Sequence, residues 1–170
     1  MARNVYGLDL GSYEIKVYDK KKDTIWKEKD VIALRNEKEI FAVGDEAFSM
    51  YEKAPSNIEV VFPMKEGVIS RFHDMQFLLQ NLLKKDRQFA RGSEYVVAVP
   101  TDVTEVEKKA FFDLVIHSTA KAKEVNIVER SIADAIGLNL DVQNTRGVFI
   151  VNFGGETTEL SVIAGGGMVM

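Results

Sequence analysis

Two short segments of the chain, 143 residues apart, carry the same pattern, and they constrain its fold more than any other feature. Leu8-Asp9-Leu10-Gly11-Ser12 and Val151-Asn152-Phe153-Gly154-Gly155 both read apolar, Asp or Asn, apolar, Gly, small. An alternating strand runs into each turn and another runs out of it, so each unit is expected to be a hairpin. The spacing is too long for a solenoid repeat and implies two pseudo-equivalent lobes that face each other. A glycine turn lets the backbone approach a ligand closely, and its successive N–H groups form a concave nest for phosphate oxygens. A carboxylate at the end of the incoming strand is placed to orient the waters of Mg²⁺, which takes one or two carboxylates and keeps several waters. Two such turns would grip a polyphosphate from both sides. A plain hairpin accounts for either turn taken alone, but not for the recurrence. No G-x-x-x-x-G-K-[ST] and no G-x-G-x-x-G occurs, which removes the P-loop and Rossmann readings.

The remaining chain reads as an α/β domain. The first hairpin continues through Lys20-Lys21-Lys22-Asp23, a solvated turn, into Thr24-Ile25-Trp26-Lys27-Glu28, giving a three-stranded meander with Trp26 in the sheet core. Residues 31–72 are less regular, include Pro55 and Pro63, and read as a small inserted sub-domain. Met75, Leu78, Leu79, Leu82 and Leu83 then fall at i, i+3, i+4, i+7 and i+8, the one-face helical template, with Asp74 as the expected N-cap. A strand at 95–99 stops at Pro100. Thr104 and Glu107 form a capping box for a helix running to about 119, with Val106, Ala110, Phe111, Leu114 and Val115 facing inward. A strand at 125–128, a helix at 131–138 and the second hairpin at 148–164 follow, and 168–170 reads as the opening of another strand. Strands alternating with helices after a meander indicate a mixed sheet flanked by helices. The expected division is a first-lobe core at 1–30 and 73–145, an insert at 31–72, and the start of a second lobe at 146–170, the front part of a longer architecture.

Charge and composition narrow the function classes. The 22 Lys and Arg against 26 Asp and Glu leave a net charge of −4, which argues against a nucleic-acid backbone binder. The absence of cysteine excludes disulfide scaffolds, thiolate metal sites and thiol nucleophiles. His73 and His117 lack partners at zinc-ligand spacing. There is no signal-peptide pattern and no apolar run approaching a membrane span, so the expectation is a soluble intracellular protein.

These residues resemble the actin-like ATPase superfamily and, within it, the MreB family of bacterial cell-shape proteins. The segments that carry the resemblance are Gly7-Leu8-Asp9-Leu10-Gly11-Ser12, Ala42-Val43-Gly44-Asp45-Glu46-Ala47 and Pro63-Met64-Lys65-Glu66-Gly67-Val68-Ile69. Val96-Val97-Ala98-Val99-Pro100, Thr104-Glu105-Val106-Glu107-Lys108-Lys109 and Phe153-Gly154-Gly155-Glu156-Thr157-Thr158-Glu159 continue it in order. The match covers the first half of the family's length, with the adenosine-binding motif lying beyond it. It implies an actin-like, ribonuclease H-like ATPase lobe that binds ATP and Mg²⁺. Asp9 would order the magnesium waters, and Gly11, Ser12, Tyr13 and Glu14 would offer backbone donors to the phosphates. Lys16 falls where actin carries a phosphate-contacting lysine. Gly154, Gly155, Glu156 and Thr157 form the second phosphate loop, with Glu156 replacing a glycine. Asn152 stands where the family has Asp, and Arg130 where it has a water-positioning Glu, which implies impaired hydrolysis. The implied function is an ATP-binding filament former that shapes the cell and organises cell-wall synthesis. Its implied partners are further copies of itself, the inner membrane surface and cell-wall synthesis proteins, at a cytoplasmic, peripheral location. Phe89, among Lys84, Lys85, Arg87 and Arg91, would be the membrane-inserting residue. The alternatives are a phosphotransferase of the sugar- or acetate-kinase kind and a nucleotide-insensitive adaptor.

Overall fold

The computed structural model describes residues 4–85 and 92–170. The alternation at the start of the chain builds β1 (Val5–Leu10), β2 (Glu14–Asp19) and β3 (Thr24–Lys29), an antiparallel meander. Tyr6, Leu8, Leu10, Ile15 and Val17 fill its buried face, as a two-residue period dictates. Trp26 is half-buried and packs against the edge of this core rather than within it.

The stretch at 31–72 is more regular than its sequence pattern predicts. It holds β4 (Ile32–Arg35), β5 (Glu39–Val43), the single-turn α1 (Asp45–Phe48), β6 (Ile58–Val61) and the two-residue strands β7 (Met64–Lys65) and β8 (Val68–Ile69). The first three of these strands form their own antiparallel sheet, ordered β5-β4-β6. Ile32, Ala33 and Leu34 are all buried, because apolar clusters lie on both faces of β4. A strand covered on both sides shows no alternation, which is why periodicity missed it.

The chain then runs through α2 (Phe72–Lys85), β9 (Glu94–Val99), α3 (Glu105–Ile116), β10 (Glu124–Glu129) and α4 (Arg130–Gly137). It ends with β11 (Val148–Phe153), β12 (Thr158–Ala164) and β13 (Gly167–Met168). The central sheet is ordered β10-β9-β1-β2-β3, with β1, β9 and β10 parallel and the meander antiparallel. This is the mixed sheet expected from sequence. Met75, Leu78, Leu79 and Leu82 of α2, with Phe111, Leu114 and Val115 of α3, bury against its inner face. The strands β11-β12-β13 form a separate sheet, and the helix α4 lies between the two.

Several boundaries differ from expectation for local reasons. Asp74 is not the cap of α2: Met75 N donates to Arg71 O at 2.9 Å, so the helix starts earlier, and Asp74 pairs with Arg71 Nε at 2.6 Å from within the first turn. The α3 capping box is present, with Glu107 N donating to Thr104 Oγ1 at 3.3 Å and Thr104 N to Glu107 Oε2 at 2.7 Å. Val106 belongs to that solvent-facing first turn and is 78% exposed, so the inward face begins one turn later. The helix ends at Ile116, and α4 starts at Arg130 rather than at Ser131. The final strand is only Gly167–Met168.

Candidate functional site

The two hairpin turns close in the same way. Gly11 N donates to Glu14 O at 3.2 Å, and Gly154 N donates to Thr157 O at 2.8 Å. The flanking pairs are Leu10 opposite Ile15 and Phe153 opposite Thr158. A Cβ at Gly11 would come within 3.0 Å of Glu14 O, and one at Gly154 within 2.9 Å of Thr157 O. Glycine is required at both points because the carbonyl of the turn itself occupies the space a side chain would need.

The turns meet across a cleft. A Cβ at Gly155 would lie 2.8 Å from Tyr13 Cβ, so the hairpins are already in close approach. Between them is a cavity of about 500 Å³. Asp9, Gly11, Ser12, Tyr13, Glu14 and Lys16 line it from the first hairpin, and Asn152, Gly154, Gly155, Glu156 and Thr157 from the second. Arg130 reaches it from the start of α4 and Gly67 from the turn between β7 and β8. The structure therefore brings together every residue singled out from sequence except Phe89, which lies outside the described residues.

Local hydrogen bonds fix the walls. Gly67 N donates to Ser12 Oγ at 3.0 Å, which leaves the Ser12 hydroxyl proton free to donate onward. The Glu156 carboxylate accepts from Glu66 N at 2.6 Å, tying the second turn to the β7–β8 turn. Lys29 Nζ lies 3.9 Å from the centre of the Tyr13 ring and steadies the first turn by a cation–π contact.

The electrostatic centre is a chain of four charged groups. Lys16 Nζ sits 2.9 Å from Asp9 Oδ2, and Arg130 Nε sits 3.5 Å from Asp9 Oδ1. The other end of the Arg130 guanidinium donates through Nη1 to Glu159 Oε1. Asp134, one helical turn after Arg130, accepts a 2.6 Å hydrogen bond from Asn152 Nδ2. Asp134 and Glu159 are the two participants that sequence reasoning did not single out. The signal for Asp134 was its i+4 spacing from Arg130, and for Glu159 the hairpin register that places it opposite Asn152 as Lys16 lies opposite Asp9. Behind the first turn, Asp30 is fully buried, its backbone N donating to Tyr13 O at 3.1 Å. Neither of its carboxyl oxygens has a hydrogen-bond partner. Burial, and after it the Glu156 charge, raise its pKa well above the ordinary carboxylate value.

As placed, these residues do not fit the Mg²⁺ expected at Asp9. That carboxylate already faces two cations, and Asn152 carries no charge. The arrangement offers backbone donors from two turns, a hydroxyl and two fixed cations. Those are the elements of a phosphate site.

A family model described as MreB/Mbl protein matches residues 3–170. The cell shape-determining protein MreB of Escherichia coli (strain K12) is 36% identical over 177 residues, covering 99% of this chain and 50% of that protein. The cell shape-determining protein Mbl of Bacillus subtilis (strain 168) is 32% identical, again over 99% of this chain and 50% of that protein. Among solved structures, MreB5 of Spiroplasma citri bound to ADP superposes with a TM-score of 0.89 at 27% identity, covering 99% of this chain and 50% of that one. A MamK double helical filament at 20% identity shares the fold, with a TM-score of 0.78 over 99% of this chain and 50% of that one. The chain spans about half the length of the curated relatives it matches.

Proposed function

This chain belongs to the MreB/Mbl family, and on that premise we propose that it binds an adenine nucleotide between its two hairpins and assembles with further copies into cell-shape filaments. The observation that carries the reading is the pair of equivalent glycine turns facing each other across one cavity. MreB5, at 27% identity, supports it, having been solved with ADP and with AMPPNP. In this reading the backbone of Ser12, Tyr13 and Glu14 donates to phosphate oxygens from one side, with Lys16 adding charge; the N–H expected from Gly11 is instead spent inside the turn on Glu14 O. Gly154, Gly155 and Thr157 close from the other side, while Glu156 stays at the rim on its bond to Glu66 N.

Hydrolysis is expected to be weak. A guanidinium at 130 accepts no proton from an attacking water, and the amide of Asn152 carries no negative charge to orient one. The proposed division is a first-lobe core at 1–30 and 73–145, an insert at 31–72, and the start of a second lobe from 146. A peripheral place on the inner membrane face, with cell-wall synthesis proteins as partners, extends the proposal from the family and is testable by vesicle flotation. Family membership disfavours the phosphotransferase alternative.

The deciding experiment is calorimetric titration of ADP into this chain and into an Asn152→Asp, Glu156→Gly double variant, followed by pelleting of both. Binding by the chain, tighter in the variant, is the expected result. Silence from both would refute the reading, and binding without any pelletable assembly would refute its filament half.

A further inference from the structure

The chain supplies its own cation where the two hairpins converge. Asp9 faces Lys16 across the first hairpin, and the matching cross-strand pair of the second hairpin is Asn152 and Glu159. The first pair is neutral and the second carries an unbalanced carboxylate. Arg130 lies between them, with Nε toward Asp9 Oδ1 and Nη1 on Glu159 Oε1. Asp9, the carboxylate expected to order a divalent ion's waters, is thus held between two cations, and Glu159 is held by Arg130. Arg130 is 8% exposed, and a guanidinium that deep stays in place only while paired.

We propose that Arg130 is the resident cation of the cleft, joining a carboxylate from each hairpin, so that a phosphate-bearing ligand enters without a divalent metal. The ligand half of this inference rests on the nucleotide reading above; the cation half does not. Arg130 Nη2 is buried with no hydrogen-bond partner, and so are Asp9 Oδ1 and Glu159 Oε2. Nη2 is therefore closed in, and Arg130 acts on a phosphate-bearing ligand through its fixed charge rather than through that nitrogen. Arginine stays charged at any working pH, so this cation is permanent and cannot be chelated.

The test uses Mn²⁺ as the metal probe and the amide resonances of Gly11 and Gly154 as reporters. In the starting chain, Mn²⁺ should broaden these signals no more than those beside exposed carboxylates such as Glu105. In Arg130→Ala, where Glu159 loses its partner and Asp9 keeps only Lys16, Mn²⁺ should broaden both selectively. Because that variant risks misfolding, Arg130→Ala with Glu159→Gln and the charge-keeping Arg130→Lys are run beside it. The double variant should show reduced broadening, and the lysine variant none. Selective Mn²⁺ broadening in the starting chain would overturn the assignment. Separately, ADP affinity should agree within about twofold between EDTA and excess Mg²⁺, since a tenfold change is about 1.4 kcal/mol of metal contribution. A gain of tenfold or more with Mg²⁺ would overturn metal independence. No ADP binding in either condition would overturn the nucleotide reading, and the Mn²⁺ result would then judge Arg130 alone.

Discussion

Replacing Asp30 with leucine is expected to stabilise the protein and to flatten its response to pH. Asp30 is fully buried, neither carboxyl oxygen has a partner, and burial followed by the Glu156 charge raises its pKa well above the ordinary value. A carboxyl with a raised native pKa keeps its proton at a pH where the unfolded chain has lost it. The native state then binds more protons than the unfolded state, and stability falls as pH rises. The loss begins near the unfolded value of about 3.9 and continues until the raised native value is passed, at up to about 1.4 kcal/mol per pH unit. Leucine removes that slope along with an unpartnered buried hydroxyl donor and carbonyl acceptor, each a penalty of about 1–3 kcal/mol. Overpacking, at about 1–3 kcal/mol, is the opposing effect. The net expectation is a gain of about 1–3 kcal/mol at pH 8, shrinking toward pH 5. Urea unfolding followed by far-ultraviolet circular dichroism at pH 5, 6.5 and 8 measures it. A variant that is less stable at every pH, with the slope of the parent, would refute the reasoning, because it would mean that Asp30 is ionised and paired in the native state.

Arg130→Met should cost about 3–5 kcal/mol by leaving Glu159 unpaired, and adding Glu159→Gln should recover part of the loss in the same urea assay. Gly155→Val should cost about 1–3 kcal/mol, because its Cβ would stand 2.8 Å from Tyr13 Cβ. The same change forces the hairpins apart, and calorimetry should show ADP affinity lowered by about tenfold or more. Thr104→Ala should cost about 1 kcal/mol of thermal stability at pH 7 through loss of the α3 cap. Hydrogen bonds from the Thr104 hydroxyl and backbone lower the Glu107 pKa, so its contribution is present above the ordinary carboxylate value and is lost as pH falls through the lowered one. The difference between parent and Thr104→Ala should therefore narrow in acid.

The meander, the one-face pattern of α2 and the α3 capping box were legible because each leaves a local signature of period or spacing. The sheet at 32–61 was not, since β4 is covered on both faces and loses the alternation that marks a half-buried strand. Val106 has the right period but the wrong depth: periodicity fixes the side of a helix, not how far along it the sheet extends. The site was legible in two steps: the repeat found both turns, and the family resemblance added Tyr13, Glu14, Lys16, Glu156 and Thr157 on the cavity wall. Carried one pair further along the strands, the repeat maps Lys16 onto Glu159 and exposes the reversed charge that Arg130 answers. The contact between Asp134 and Asn152 joins a helix to a separate sheet, a meeting set by tertiary packing that no single-segment pattern encodes. The same holds for the bond from Glu66 N to Glu156, which links residues 90 apart.

The central claim is that the two hairpins act together as one phosphate grip. Amide chemical-shift mapping during an ADP titration tests it most directly, with residues 11–14 and 154–157 as reporters. The account predicts that both sets shift in step, with a single dissociation constant. Shifts confined to one hairpin, or none in either at saturating ADP, would contradict it.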